Sequence, residues 1–367
     1  MSYEVDFIGS KKVEKDYDAI AFRYLPQNSS RWTICVFDGG TSEVGEALAE
    51  HLNAYYLNNL PKEIDMVFCS HPDLDHASGL THILQNYTVR YLVMNRPWLY
   101  VDELYEKVKD GRITKDSLER TLREKYKFID ELETLAKRQR NCQIIPGIAE
   151  SGLFPEMTIV SPTKAFYIQS LVDSDKTPAM DLATESRSAQ SLALNAFNAI
   201  DKWPRTIWEE DDIREGEITS AENESSIVLR VQPQGDNPFL LLGDVGCKGL
   251  TVAMDYADAI KKSLNECDFV QIPHHGGRHN VSPSVLDRLI GRKVAQDATP
   301  SKTAFVSVGK DSDHPRKCVT NAFITRGCRV YVSSTTTLNH HRGNVPKRGW
   351  TAAKEESFSN VVESWDD

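Results

Sequence analysis

The sequence predicts a layered α/β fold, and three observations support this prediction. Short β-rich runs open the chain at YEVDFIG, DAIAFRYL and WTICVFDGG. In the last third of the chain, apolar strands alternate with helical segments, a pattern typical of layered α/β proteins. Several apolar strands also end in a side chain that can bind a metal ion. In open α/β sheets, ligands bind at the carboxyl ends of strands, so these side chains are expected to meet in one cleft.

The opening strands are followed by a helix and a buried strand. TSEVGEALAEHLNAYYL has apolar residues at helical spacing, and Thr41 or Ser42 can cap this helix. IDMVFCS predicts a buried strand that leads into HPDLDH. Residues 77–86 suit a helix and VRYLVMN suits a further strand.

The middle of the chain is less regular. Residues 102–141 form a charged helical stretch with apolar residues three and four apart, whose polar face is expected to meet water. Residues 146–220 are rich in Ser, Thr, Asp and Glu and contain one strand, MTIVSP. We expect residues 1–367 to form a single domain, with roughly 100–220 as a helical and irregular insertion.

Regular alternation returns after this stretch. SSIVLRVQPQGDNPFLLLGDVG predicts two strands joined by a turn, and a helix of about 248–264 follows. The strand DFVQIP, a helix capped by Ser282, the strand TAFVSVG, a helix near 315–326 and the strand CRVYVSS complete the pattern.

Composition limits the class of protein. With 40% hydrophobic and 26% charged residues, the chain can bury a core. Its first residues are charged and no apolar run approaches the roughly 20 residues of a membrane span, so we expect a cytoplasmic protein without membrane attachment. Seven cysteines without CxxC spacing predict reduced thiols. The net charge of −10 disfavours long-range attraction of nucleic acid, although a local basic groove is compatible with it.

The segment HPDLDH places four donors of metal-binding type within six residues, namely His71, Asp73, Asp75 and His76. Imidazole together with carboxylate suits zinc, manganese or iron, and the share of carboxylates favours the harder ions. A polar turn with capping residues would account for a lone Asp or His. It accounts less well for four donors directly after a buried strand.

Three other strand ends carry similar residues. Asp38 follows TICVF, Asp244 follows FLLLG, and His274 with His275 follows DFVQIP. One carboxylate beside glycine is common turn chemistry. Their repetition at successive strand ends predicts that they share one cleft with HPDLDH.

An ordered set of motifs then resembles the metallo-β-lactamase superfamily. Within it, the chain is most similar to the hydrolase domain of the ComEC competence proteins, which has free-standing relatives and carries HxDxDH where most members carry HxHxDH. The motifs, spread over most of the chain, are DGG at Asp38–Gly40, SHPDLDHASGL at Ser70–Leu80, NESSIVLRV at Asn223–Val231, LLGD at Leu241–Asp244, PHHGG at Pro273–Gly277 and SVGKDSDHP at Ser307–Pro315. The resemblance implies a four-layer αββα fold that binds two divalent ions, zinc or manganese.

The resemblance also implies a role for each candidate residue. The first ion would be held by His71 and Asp73, and the second by Asp75 and His76, with Asp244 bridging the two. His274 would complete the second site, and His275 is the alternative ligand or the residue that orients a water. Asp38 would hold a ligand histidine from behind.

One departure from the family pattern concerns the first ion. Most members supply a further histidine between the HxHxDH loop and the bridging aspartate, and this chain has only His82 there, in the helix after the loop. The first site is therefore short of a ligand. Asn223, Ser226, water or substrate would have to supply the missing ligand, or the first site binds metal weakly. An enzyme that uses a single ion is a further alternative.

The resemblance implies hydrolysis by a metal-activated hydroxide, with Asp75 at the catalytic centre. Protonation of the leaving group requires a donor, and His314, in SVGKDSDHP, is the candidate, although an ordinary loop histidine fits as well. His279, His340 and His341 are weaker candidates, and the last two are compatible with a polar loop.

The ComEC-like resemblance implies a phosphodiesterase or nuclease that acts on DNA or another nucleic acid. Hydrolysis of a small ester, a lactone or a cyclic nucleotide is an alternative, because one scaffold serves several chemistries. A degenerate, non-catalytic subunit of a larger assembly, such as an antiviral defence complex, is another. A retained set of buried ionisable groups, which is costly without a metal, argues against that reading. A protein partner or a homo-oligomer is compatible with the sequence.

Overall fold

The computed structural model describes residues 2–58, 60–108, 112–152, 155–178, 205–233 and 235–365. The strands are β1 (Tyr3–Phe7), β2 (Ala19–Tyr24), β3 (Thr33–Gly39), β4 (Glu63–Phe68), β5 (Thr88–Val93), β6 (Gln143–Ile145), β7 (Met157–Ser161), β8 (Val228–Val231), β9 (Phe239–Leu241), β10 (Phe269–Gln271), β11 (Lys302–Ser307), β12 (Cys328–Ser333) and β13 (Leu338–Arg342).

The helices cover the outer faces of the sheets. They are α1 (Ser42–His51), α2 (Leu74–Ala77), α3 (Leu80–Asn86), α4 (Val101–Tyr105), α5 (Lys115–Lys125), α6 (Lys127–Arg138), α7 (Lys164–Asp173), α8 (Ala221–Glu224), α9 (Cys247–Ala259), α10 (Pro283–Leu289) and α11 (Lys317–Ile324). No helix in the described ranges has both the length and the apolar character needed to cross a membrane.

The strands form two mixed sheets. The first has the order β13-β1-β2-β3-β4-β5-β6 and the second the order β12-β11-β10-β9-β8-β7. Strands β3 to β6 run parallel, as do β9 to β12, while the remaining pairs are antiparallel. The carboxyl ends of β3 and β4 in one sheet, and of β9 to β11 in the other, carry the loops that form the candidate site.

Three hydrophobic clusters separate four layers. An aromatic-rich cluster lies between the two sheets, where Phe239 packs edge-on against Phe22 and Phe269. A second cluster lies between the first sheet and helices such as α1, α3 and α6, and a third lies between the second sheet and helices such as α9 to α11. The predicted four-layer αββα fold is therefore confirmed.

Strand β1 shows how the alternating sequence pattern is used. Tyr3 and the other odd-numbered residues of YEVDF lie in the cluster between the sheets, while Glu4 and Asp6 are fully buried on the opposite face. Arg348, from the C-terminal segment, forms ion pairs with both carboxylates at 2.7 and 2.9 Å. Earlier parts of the chain add Arg23 beside Glu4 and His51 beside Asp6. Buried charges of this kind are tolerated because each one is paired.

Two sequence-based expectations need correction, the continuous helix and the polar loop. The continuous helical stretch of 102–141 is divided into α4, α5 and α6, and between α5 and α6 the backbone leaves helical geometry at Tyr126 (φ −103°, ψ 46°). The expected polar loop at His340 and His341 is strand β13, which pairs with β1 and completes the first sheet. The proposed insertion of roughly 100–220 contains α4 to α7 with β6 and β7, and its residues 109–111, 153–154 and 179–204 lie outside the described residues.

Candidate metal centre

Asp38, near the end of β3, anchors the HPDLDH loop. Its backbone is left-handed (φ 59°), a conformation that Asp adopts more readily than most residues. Its carboxylate accepts hydrogen bonds from Ser70 N at 2.7 Å, Ser70 Oγ at 2.5 Å and His76 Nδ1 at 2.9 Å. Because Nδ1 of His76 is engaged in this way, Nε2 is the ring atom that faces the centre. Asp38 thus lies behind a candidate ligand histidine, and its predicted role is to hold that ring.

One set of donors converges on this Nε2 atom. Donor atoms of Asp18, His76, Asp244 and His275, all buried, lie within 4.8 Å of one another, and no other group of this kind occurs in the described residues. Asp75 Oδ2 lies 3.9 Å from His76 Nε2 and 3.6 Å from His275 Nε2. We name these five residues the second half-site.

The donor atoms of the second half-site lack hydrogen-bond partners. Nε2 of His76, Nε2 of His275, Oδ1 of Asp244 and Oδ1 of Asp18 are buried and make no hydrogen bond among the described residues, although His76 Nε2 and Asp244 Oδ1 lie 3.3 Å apart. Leaving such atoms unpaired in a protein interior costs free energy, on the order of 1–3 kcal/mol for each group. A divalent cation would satisfy all four atoms at once, and imidazole with carboxylate is a donor set that zinc and manganese accept. The residues present therefore fit a metal ion.

The first half-site consists of His71, Asp73 and Asp244. Nε2 of His71 is buried without a partner and lies 3.8 Å from Asp73 Oδ2 and 3.8 Å from Asp244 Oδ2. The other oxygen of Asp73, Oδ1, lies 2.7 Å from Nζ of Lys176. Each half-site has one carboxylate that is about one third exposed, since the Asp73 side chain is 36% exposed and that of Asp75 in the second half-site is 33% exposed.

The two adjacent histidines after β10 face different groups. Nδ1 of His275 donates to the carbonyl oxygen of Ser307 at 3.0 Å, which directs Nε2 into the second half-site. His274 Nδ1 instead lies 2.9 Å from Asp244 Oδ2 and 2.9 Å from Asn223 Nδ2. Both residues have left-handed backbones (φ 49° and 55°), which costs about 1–3 kcal/mol each and is typical of functional sites. The geometry favours His275, the alternative ligand in the sequence analysis, for the second half-site.

Asn223 and Ser226 were suggested as further ligands of the first ion. The Asn223 side chain contacts other residues, and the Ser226 hydroxyl makes no hydrogen bond among the described residues. Asn223 is buried and contacts Thr219 Oγ1 at 3.0 Å in addition to His274. Ser226 is fully buried, and its Oγ has no hydrogen-bond partner among the described residues. His82 is half-buried in α3 and belongs to neither half-site.

The remaining histidines from the sequence analysis form separate contacts. His314 Nδ1 lies 2.8 Å from Asp16 Oδ2, in the loop after β11. His279 is half exposed and pairs with Glu217 at 2.6 Å. His340 stacks on Phe269 between the sheets, with ring centroids 4.4 Å apart, so its role is in packing. Its neighbour His341 is exposed on the same strand.

The charges of the centre shift one another's proton affinities. Burial raises the pKa of Asp18 to about 6. Although burial acts in the opposite direction, the carboxylates of Asp244, Asp75 and Asp18 raise the pKa of His275 to about 10. Burial lowers the pKa of His71. In the ion-free protein, protons on imidazole thus balance the carboxylates, and binding of a cation must release protons.

Asp18 and Lys176 were not singled out in the sequence analysis. Asp18 precedes strand β2 instead of following a strand, but β2 is antiparallel to β3, and Ala19 pairs with Gly39. The start of β2 therefore lies beside the end of β3, and the rule that ligands follow strands could not find Asp18. Lys176 is 103 residues from its partner Asp73 and lies in the stretch that showed no clear pattern.

Comparison with known proteins adds family information for part of the chain. A family model described as Metallo-beta-lactamase superfamily matches residues 33–134. The chain is also similar to the crystal structure of metallo-beta-lactamase SMB-1 bound to 2-mercaptoethanesulfonate, at 9% identity over 75% of this chain and 80% of that chain (TM-score 0.30). It is similar as well to MEM-A1, a subclass B3 metallo-beta-lactamase isolated from a soil metagenome library, at 10% identity over 75% of this chain and 79% of that chain (TM-score 0.28). Comparison with curated proteins gives no match.

Structural likenesses at these identities and TM-scores carry no information about activity. The family match is more informative, because its range contains Asp38 and the four donors of HPDLDH. Together with the donor cluster, it indicates a metal-dependent hydrolase. Residues 33–134, less than a third of the chain, are thus similar to the metallo-beta-lactamase superfamily.

Proposed function

We propose that this chain is a metal-dependent phosphodiesterase that cleaves DNA or another nucleic acid. The observation that carries the metal-dependent part is the set of buried, unpartnered donor atoms at the second half-site, including Nε2 of His76 and of His275. The nucleic-acid part is supported by the resemblance of the motifs to the ComEC hydrolase domain, in particular by Asp73 within HxDxDH.

A divalent ion bound at this centre would supply a Lewis acid and lower the pKa of a water molecule. The protein's own residues fix the donors before the ion arrives. Asp38 holds His76 and the carbonyl group of Ser307 holds His275, each through Nδ1, so both Nε2 atoms point inward. Zinc or manganese fits this donor set. The two ions predicted from the sequence would require the first half-site as well.

His314 is our candidate for the group that gives a proton to the leaving oxygen. Asp16 Oδ2 lies 2.8 Å from His314 Nδ1, and Asp16 Oδ1 accepts a hydrogen bond from Gly309 N at 2.8 Å. Although burial opposes it, the hydrogen bond from His314 lowers the pKa of Asp16 to about 2. Asp16 orients the ring through Nδ1, which leaves Nε2 as the ring atom available for proton transfer. The His314 side chain is 24% exposed, so substrate can reach it.

Hydrolysis of a small ester, a lactone or a cyclic nucleotide is the second candidate. The net charge of −10 favours it, because a polyanion is repelled at long range by such a protein. Salt distinguishes the two candidates. Binding of a nucleic-acid backbone weakens steeply as salt rises, since each neutralised phosphate releases counterions, whereas KM for an uncharged ester stays nearly constant.

The test combines metal analysis with hydrolysis assays. Purified protein is analysed for bound metal and then given bis-p-nitrophenyl phosphate, single-stranded DNA and double-stranded DNA with added manganese or zinc. We expect Asp75→Ala and Asp244→Ala to lose about 100-fold or more of the activity while the fold is retained. Asp102→Ala is the matched control, because Asp102 is 80% exposed and forms an ion pair with Lys115 at the surface.

Each outcome has a distinct meaning. Full activity in Asp75→Ala or Asp244→Ala contradicts the proposed centre. Bound metal without cleavage of any phosphodiester redirects the assignment to lactones and other esters. Protein that binds no metal would favour a non-catalytic subunit of a larger assembly.

A further inference from the structure

A lysine side chain reaches into the metal centre from the segment that follows α7. Nζ of Lys176 lies 2.7 Å from Oδ1 of Asp73, the carboxylate of the first half-site. It also lies 5.6 Å from the centroid of the Tyr126 ring. Because both partners of this ion pair are about one third exposed, the ammonium sits at the mouth of the centre, in contact with solvent.

The backbone at Lys176 is held by a buried hydrogen-bond network. Ser174, at the end of α7, donates from Oγ to Glu222 Oε1 at 2.5 Å, and Tyr126 OH donates to the same oxygen at 3.0 Å. These three side chains are at most 8% exposed. Ser174 Oγ in turn accepts a hydrogen bond from Lys176 N at 3.0 Å. The network joins α6, α7 and α8, so the position of Lys176 is set by the core beneath it.

The two half-sites differ in their supply of donors. Five residues with imidazole or carboxylate atoms face the second half-site, and four of them form a cluster within 4.8 Å. The first half-site has His71, Asp73 and a share of Asp244, with His71 Nε2 3.8 Å from each carboxylate. One oxygen of Asp73, Oδ1, is already paired with the ammonium group of Lys176.

We propose that Lys176 takes the place of an ion at the first half-site, so that the chain binds one divalent ion, at the second half-site. An ammonium group and a divalent ion that shared Asp73 would repel each other. The first half-site has too few other donors to offset this repulsion. Lys176 then supplies the positive charge on this side of the centre, within reach of an anionic oxygen of a substrate. This inference rests on the metal centre of the proposed function and is independent of the substrate.

The test counts ions and does not depend on activity. Protein is dialysed against manganese or zinc, and bound metal per chain is measured by mass spectrometry and by calorimetric titration. We expect one ion per chain in the wild type, one in Asp73→Asn and close to none in His275→Ala. In Lys176→Met we expect a second, weaker binding event. Lys164→Met is the matched control, since Lys164 forms a surface ion pair with Glu103 at 3.0 Å, and it should bind one ion.

Three results would overturn the proposal. Two ions in the wild type, falling to one in Asp73→Asn, would show that the first half-site binds metal beside Lys176. A single metal-binding event in Lys176→Met would show that the Lys176 ammonium does not exclude an ion from the first half-site. A wild-type protein that binds no metal would contradict both this inference and the proposed metal centre. Failure to cleave phosphodiesters would leave the ion counts unchanged and contradict only the proposed substrate.

Discussion

Replacement of Asp38 by Asn tests how the protein prepares its metal centre. Asp38 has no donor atom in either half-site, yet its carboxylate accepts three hydrogen bonds, two from Ser70 and one from His76 Nδ1. Asn has nearly the same shape but keeps one acceptor oxygen and gains an NH₂ group. If the oxygen stays with Ser70, the NH₂ group faces Nδ1–H of His76, and two donors then point at each other.

The expected magnitude follows from that conflict. To relieve it, the imidazole must move its proton from Nδ1 to Nε2 or rotate, and either change removes Nε2 as a ligand atom. Loss of a group that orients a ligand histidine typically lowers metal affinity by about 10–100-fold. Each factor of ten corresponds to about 1.4 kcal/mol, so we expect about 1.4–2.8 kcal/mol less binding free energy in Asp38→Asn.

The assay is a competition titration of zinc or manganese against a chelator at neutral pH. Asp65→Asn is the matched control, because Asp65 is also buried in the first sheet and accepts hydrogen bonds from Ile34 N and Arg31, away from the candidate centre. It should bind metal as the wild type does. Equal metal affinity in Asp38→Asn and the wild type would refute the reasoning that Asp38 positions a ligand.

Two further predictions concern stability. Glu133 is buried among Arg96, Arg123 and Lys137, and although burial opposes it, hydrogen bonds from Arg123 and the other two cations lower its pKa to about 2. We expect this carboxylate to contribute on the order of 2–3 kcal/mol to the free energy of unfolding above pH 4.5, and to lose that contribution as pH falls towards 2. Denaturant titrations of Glu133→Gln across this pH range check it, and a difference from the wild type that does not shrink on acidification would contradict it. A Cβ atom on Gly79 would lie 2.0 Å from the carbonyl oxygen of Gly39, so Gly79→Ala should destabilise the fold by about 2 kcal/mol or more. Gly152→Ala is the control and should change the melting temperature little, because a Cβ atom there meets no atom of the non-adjacent described residues within 4 Å.

The predictable parts of this fold are those in which sequence pattern and chain order agree. The sequence pattern of an apolar run followed by a polar residue predicted β3, β4, β9 and β10. Because a parallel sheet places the carboxyl ends of its strands at the same edge, the pattern also predicted that these polar residues lie close together. Strand β13 was not recognisable, because NHHR reads as polar in isolation. His340 becomes an interior residue only when β1 pairs with this segment and Phe269 packs beneath it.

The candidate site divides along the same line. The donors of HPDLDH are local in sequence, so their proximity needs no tertiary information. Asp18 joins them through an antiparallel pairing, and Lys176 joins them through a network of Tyr126, Ser174 and Glu222. A side chain brought in by long-range packing has no signature in its own neighbourhood, and sequence spacing therefore could not find it.

The pairing of β1 with β13 has a consequence for synthesis of the protein. Arg348 lies 342 residues after Asp6, its partner in the first sheet. A ribosome therefore adds 342 residues after Asp6 before β1 can gain this cation, and its neighbour β13 is translated only shortly before it. Until then Glu4 and Asp6 have only their earlier partners, Arg23 and His51. Strand β1 is thus completed only after β13 has been translated, and the first sheet closes only then.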